Sequence, residues 1–131
     1  MKMTKLISMK KFLVAVSILM IFGSCEIPEE SGYGNYIIGI SNSTPKNFLL
    51  EVYLDGVFSG SFVVKASQQG NYTHLCGDLV YAANLDNVFI LTLVSSGQHT
   101  VELKYSPSKA EAYTGHFKMT ADGCISQELD L

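Results

Sequence analysis

The stretch Phe48-Leu49-Leu50-Glu51-Val52-Tyr53-Leu54-Asp55-Gly56-Val57-Phe58-Ser59-Gly60-Ser61-Phe62-Val63-Val64-Lys65 decides the fold class. Phe48, Leu50 and Val52 alternate with Leu49, Glu51 and Tyr53, and beyond Asp55-Gly56 the residues Phe58, Phe62 and Val64 alternate with Ser59, Ser61 and Lys65. Period-two alternation on both sides of an Asp-Gly pair reads as a β-hairpin. A three-residue loop, Leu54 to Gly56 with Gly56 left-handed, sets Val52 against Phe58 and Phe48 against Phe62, giving both strands one apolar side. A two-residue turn at Asp55-Gly56 opposes Leu54 to Val57 and brings Ser59 and Ser61 inward, so the alternation favours the longer loop. The outer face of this hairpin then carries Tyr53, Val57, Ser59, Ser61 and Val63. One aromatic among small polar groups makes it a candidate surface for a glycan or a protein loop. The chain has no tryptophan, which counts against a sugar platform, and the plain reading is a solvated sheet face.

Working outward, short runs rich in valine, isoleucine, phenylalanine, tyrosine and threonine recur from Tyr36 at intervals of about ten residues, separated by turn-forming clusters. Val88 to Val94 is apolar on both faces, as a central strand covered on both sides would be. His99 to Tyr105 alternates Val101, Leu103 and Tyr105 with Thr100, Glu102 and Lys104, and Pro107 ends it. Tyr113, Gly115, Phe117 and Met119 mark another strand, and Ala121-Asp122-Gly123 turns into a last one with Ile125, Leu129 and Leu131. Helical spacing is nowhere sustained, so any helix is a single turn around Leu79 to Asn84. The pattern predicts an all-β chain, an antiparallel β-sandwich of about seven or eight short strands.

The segment before this domain has a different character. Four lysines precede Phe12 to Phe22, an apolar run broken only by Ser17 and followed by Gly23, Ser24 and Cys25. Charged, apolar and small residues in that order make a secretory signal, and the run is well short of the roughly 20 residues that a membrane-spanning helix needs. Phe22-Gly23-Ser24-Cys25 resembles the lipobox of bacterial lipoproteins, with Phe22 where leucine is usual. The resemblance implies that Cys25 receives a diacylglyceryl thioether and becomes the first mature residue, further acylated on its amine. Glu26 in place of aspartate implies an outer-membrane destination, facing the periplasm or the cell surface. Residues 1–24 are thus expected to be a signal peptide, 25–34 a lipidated cysteine with a flexible acidic tether, and 35–131 a single domain.

All nine basic residues are lysine; four precede Cys25 and all twelve carboxylates follow it, leaving a mature net charge of −7. Such a domain lacks the cationic surface that phosphate backbones require, so nucleic acid is excluded as a partner. With Cys25 lipidated, Cys76 and Cys124 remain in a compartment where disulfides persist, and their pairing is expected.

Val52 to Gly60 and Gly97-Gln98-His99-Thr100-Val101-Glu102-Leu103 resemble the PEGA-type β-sandwich of bacterial envelope proteins, where the first piece forms a hairpin and the second a glycine-led strand. The resemblance covers about sixteen residues, the two pieces lie farther apart than in that family, and its usual proline is missing. It implies a binding or structural module.

Residues that could carry chemistry are sparse. His74, His99 and His116 could hold a zinc ion, but their separations of 25 and 17 residues give no close ligand spacing, so no metal and no cofactor is expected. His74 and Cys76 share a strand parity, a conceivable cysteine–histidine arrangement. Serines lie in no nucleophile elbow, and the carboxylates fall at turns or in the tether. The expectation is a lipid-anchored, non-enzymatic binding or structural module that meets an unknown envelope protein or extracellular ligand. The rival reading is a small inhibitor or immunity-type lipoprotein that blocks a basic hydrolase such as a lysozyme, although the Ser-Gly-x-x-Tyr signature of lysozyme-inhibiting lipoproteins is missing.

Overall fold

A computed structural model describes residues 30–70, 72 and 75–131. Seven strands form in chain order: β1 (Tyr33–Ser41), β2 (Phe48–Leu54), β3 (Val57–Val64), β4 (Val88–Ser95), β5 (Gly97–Ser106), β6 (Glu111–Met119) and β7 (Cys124–Asp130). One short helix, α1 (Leu79–Ala83), lies between β3 and β4. The strands make a two-layer sandwich, a three-stranded sheet ordered β4-β1-β7 facing a four-stranded sheet ordered β3-β2-β5-β6. The all-β expectation holds. The pairing is antiparallel except between β1 and β7, which run parallel, the first strand of the domain lying beside the last. Because β1 starts at Tyr33, the final residues assigned to the tether already belong to the sheet.

The central strand apolar on both faces is β1, not Val88 to Val94. Tyr36, Ile38 and Ile40 enter the core between the sheets together with Leu50, Val52, Val64, Leu91, Val94, Val101, Leu103 and Met119. Ile37 points the other way, into a second cluster with Tyr72, Leu75 and Ala82, against which Leu85, Val88 and Ile90 pack. β4 is an edge strand. It reads as doubly buried because the segment that includes α1 lies over its outer side and gives Val88 and Ile90 an apolar neighbour there.

This covering segment is fixed at several points. Asp78 caps α1, its carboxylate accepting from the amides of Val80 (3.0 Å) and Tyr81 (3.1 Å). Cys76 is disulfide-bonded to Cys124 on β7, as expected. Asn42, fully buried, donates from Nδ2 to the carbonyls of Lys46 (2.9 Å) and Lys65 (3.2 Å) and accepts at Oδ1 from the Thr44 amide (2.9 Å). Tyr72 donates to the Asp86 carbonyl (3.1 Å). The outer side of the β4-β1-β7 sheet is therefore sealed over Ile37 by the chain's own loop.

Two irregularities redirect side chains. The β2–β3 turn has two residues, Asp55 (φ 51°) and Gly56 (φ 79°), with Leu54 opposite Val57. That corrects the three-residue loop. The inward set survives because a bulge follows: Tyr53 opposes Phe58 but Val52 opposes Gly60, and Leu50 then meets Phe62 and Phe48 meets Val64. The bulge requires Gly60, whose φ is 148° and whose hypothetical Cβ would lie 2.7 Å from Cζ of Phe89. The second irregularity is in β4, where Gly34 opposes Val94 but Tyr36 opposes Leu91, so that Thr92 and Leu93 together face Asn35. Leu93 sits there with φ 55°, its side chain 75% exposed.

Candidate binding face

Among the described residues, no segment covers the outer side of the β3-β2-β5-β6 sheet. Tyr53 is half-buried and Val57, Ser59 and Ser61 are exposed, so all four nominated residues are at the surface. The register divides them. Phe58 pairs with Tyr53 and shares its outer side, whereas Val57 pairs with Leu54 and belongs to the opposite side at the hairpin tip. Phe58, expected to point inward, is 57% exposed. Its displacement follows from the bulge: period-two counting from Phe62 back to Phe58 crosses one extra residue.

Tyr53 is not an open stacking platform. Its hydroxyl donates to Oε2 of Glu51 at 2.8 Å, and the edge of its ring meets Phe58 at a centroid distance of 5.7 Å. The Lys104 ammonium stands 4.7 Å from the ring centroid and also pairs with Glu102 at 3.5 Å. Lys109, reaching over from the β5–β6 turn, donates to Glu51 and to the Tyr53 hydroxyl (3.2 Å). Its hydrogen bond first, and that of Tyr53 second, hold the Glu51 carboxyl below the usual carboxylate range. The face is thus a set of paired charges around one aromatic ring, with exposed Leu49, Phe58 and Val63 between them. Such a surface suits a flat protein partner better than a sugar ring.

Sequence reasoning missed a second cluster, at the end of the hairpin. His99 on β5 has Nδ1 2.6 Å from Oδ2 of Asp55 and Nε2 2.6 Å from the main-chain carbonyl of Ser95. The Thr100 amide donates to the other Asp55 oxygen at 2.8 Å. Ser95 Oγ lies 3.4 Å from the same Nε2, so a serine, a histidine and an aspartate are brought together. They do not make an activated nucleophile. A carbonyl only accepts, so Nε2 carries a proton committed to it and cannot take one from Oγ. An ionised Asp55 likewise accepts from Nδ1–H, so the charged ring has an acceptor for each of its two protons. The cluster is a latch that ties the β2–β3 turn and the start of β5 to the end of β4 in the other sheet. The only local signal was Ser95 four residues before His99 across a turn at Ser96-Gly97; Asp55 lies too far away in sequence for pattern reading.

The latch predicts a pH dependence. Burial of the His99 ring works against its charge, but the Asp55 hydrogen bond, the Ser95 carbonyl and the Asp55 charge outweigh it and raise its pKa above the ordinary 6.5. The Thr100 amide foremost, against some desolvation and with help from His99, lowers Asp55 below 3.8. The histidine contribution is complete below 6.5 and is lost as pH rises through the elevated folded value; the aspartate contribution is present above 3.8 and is lost as pH falls below it. The urea midpoint is therefore expected to fall as pH climbs from 6 to about 9, below the range where tyrosine and lysine titrate. His99→Gln should abolish that slope, and an unchanged slope in this variant would refute the assignment.

His116 lies on the other side of its sheet from Phe117, with Nδ1 3.0 Å from the Thr100 hydroxyl, while His74 falls outside the described residues. Among the described residues no three of histidine, cysteine, aspartate and glutamate converge on a metal position. The expected signal segment and Cys25 also lie outside them, and among the described residues no helix is long and apolar enough to cross a membrane. The chain matches no family model, no curated protein and no solved structure, so the chemistry of these residues stands on their own geometry.

Proposed function

We propose that the protein is a lipid-anchored, non-enzymatic binding module of the Gram-negative cell envelope, attached through Cys25 to the outer membrane, periplasm-facing or surface-exposed, and meeting a protein partner through the open face of the four-stranded sheet. The observation that carries this reading is the asymmetry of the sandwich among the described residues: one sheet is sealed on its outer side by the chain's own loop, whereas the other is left bare with Leu49 and Val63 exposed among paired charges. The Cys76–Cys124 disulfide supports a compartment outside the cytoplasm. The Phe22-Gly23-Ser24-Cys25 sequence, after four lysines and an apolar run, supports the anchor.

Two measurements in cells test it. Metabolic labelling with an alkyne fatty acid should mark the wild-type chain and leave Cys25→Ser unlabelled. A photocrosslinker at Ser61 should give one defined adduct, lost when Val63→Glu places a third carboxylate beside Glu51 and Glu102 on that face. An unlabelled wild-type chain removes the anchor, and an adduct indifferent to Val63→Glu removes the face. The mature charge of −7 favours a second reading, inhibition of a basic hydrolase. That reading requires the adduct to be such an enzyme and the soluble domain to abolish its activity at one-to-one stoichiometry.

A further inference from the structure

We infer that the end of the sandwich where the tether enters is a bilayer-docking surface, on which Tyr33, Val57, Phe58 and Leu93 seat among the phospholipid headgroups of the membrane that holds Cys25. The inference rests on the lipoprotein reading above.

Register and hydrogen bonds bring these four residues to one end. Tyr33 pairs with Ser95, two residues beyond Leu93, and Gly32 exchanges bonds with Ser96 in the β4–β5 turn. The Asp55 amide donates to the Thr100 carbonyl, which places the hairpin tip with Val57 and Phe58 beside the start of β5. The β6–β7 turn joins them through the Asp122 amide, which donates to the Tyr33 carbonyl. Tyr33, Val57, Phe58 and Leu93 are 60, 67, 57 and 75% exposed. Lys46, Lys65, Asp86 and Lys109 belong to the opposite end, with the β1–β2 and β5–β6 connections, the end of β3 and the start of β4. Large exposed apolar side chains from both sheets thus gather at this end, beside Asp55, Lys118 and Asp122, while Leu49 and Val63 are exposed toward the far end of the four-stranded sheet.

Leu93 is the most telling of the four. A left-handed backbone disfavours leucine, and an exposed apolar side chain loses nothing by becoming asparagine, which suits that conformation. Neither the local backbone nor the core accounts for leucine there, whereas a lipid surface does. Tyrosine at the first strand position, with an apolar ring and a polar tip, suits a headgroup layer equally well. The occupant follows from the tether. Tyr33 is eight residues beyond Cys25, so even a fully extended chain spans at most about 28 Å, and this end stays close to the bilayer. Glu30, Asp55 and Asp122 stand near the same end with Lys118, so the attraction is apolar and suits zwitterionic lipid.

The test uses the chain from Cys25 onward with Cys76–Cys124 oxidised, its one free thiol joined to a maleimide phospholipid in phosphatidylcholine vesicles that carry a headgroup spin label. Amides at 55–58, 93 and 121–123 should relax several-fold faster than those at 43, 44, 46, 47 and 108–110. The pair Phe58→Ser with Leu93→Asn should erase most of that contrast while melting no lower than the parent, because asparagine relieves the backbone at 93. A contrast equal in parent and variant would mean that the tether alone sets the distance and would overturn the proposal. So would a contrast that vanishes when the protein is diluted in the vesicle, since the end would then be covered by a second copy. The thioether is made chemically here, so this result is independent of whether cells lipidate Cys25, which the alkyne label decides by itself.

Discussion

Replacing Cys76 and Cys124 together by serine is expected to lower the unfolding free energy by about 4 kcal/mol. The bridge spans 48 residues, and in the chain-entropy model closing a loop of that length removes a large share of the unfolded ensemble's freedom. A domain of this size has roughly 5–15 kcal/mol in total, so the loss would be between about a quarter and four-fifths of it. It would also be felt locally. Leu75, adjacent to Cys76, is buried with Ile37, Tyr72 and Ala82 under the covering loop. Without the bridge to β7, that loop is held over the sheet mainly by Tyr72, Asn42 and α1. Urea unfolding should therefore show a large drop in midpoint, and hydrogen exchange should show early loss of protection at Ile37 relative to Val101 in the other layer. Reduced wild-type protein should behave like the double variant. Equal midpoints for oxidised parent and variant would show that the bridge contributes nothing.

Gly60→Ala carries the second large effect, a loss of about 2–4 kcal/mol, from two separate causes that a single methyl group brings together. With φ at 148° the backbone lies where side chains are strained, and the added Cβ would stand 2.7 Å from Cζ of Phe89, which packs on Phe62 between the sheets at a centroid distance of 5.3 Å. Gly56→Ala is the control: φ is 79° but nothing lies within 4 Å of its added Cβ, so only the backbone cost of about 1 kcal/mol applies. Denaturant midpoints for the two variants should differ clearly. Were they equal, the packing of Phe89 against the bulge would have to be discarded as a source of stability.

That bulge also marks the limit of what the sequence discloses. Strand content was legible because period-two alternation is a local signal, and so was the single turn of helix that Asp78 caps. The disulfide was legible by elimination, once Cys25 was assigned to lipid. The parity of the hairpin was not. Val57 to Val63 reads the same with or without an extra residue at Ser59–Gly60, so counting put Phe58 inside where the sheet puts it outside. The position of Val88 to Val94 was misread for a related reason, since an apolar run reports how much of a strand is covered, not whether a strand or a loop covers it. The latch at His99 and the parallel pairing of β1 with β7 depend on residues far apart in the chain, and no window along the sequence contains both partners. Of the candidate face, Tyr53, Ser59 and Ser61 were found from alternation, whereas the charges that occupy Tyr53 come from neighbouring strands.

The neighbourhood of the first and last strands has a consequence for biogenesis. β1 is bonded on one side to β4 and on the other to β7, so its second edge stays open until residues 124–130 arrive. A chain emerging from its N-terminus cannot close the three-stranded layer early, nor can Cys76 find its partner. Long-range closure of this kind is slow and comes last. Under the export proposed above, a layer that closes only when residues 124–130 arrive suits a chain that passes through a narrow pore before it folds.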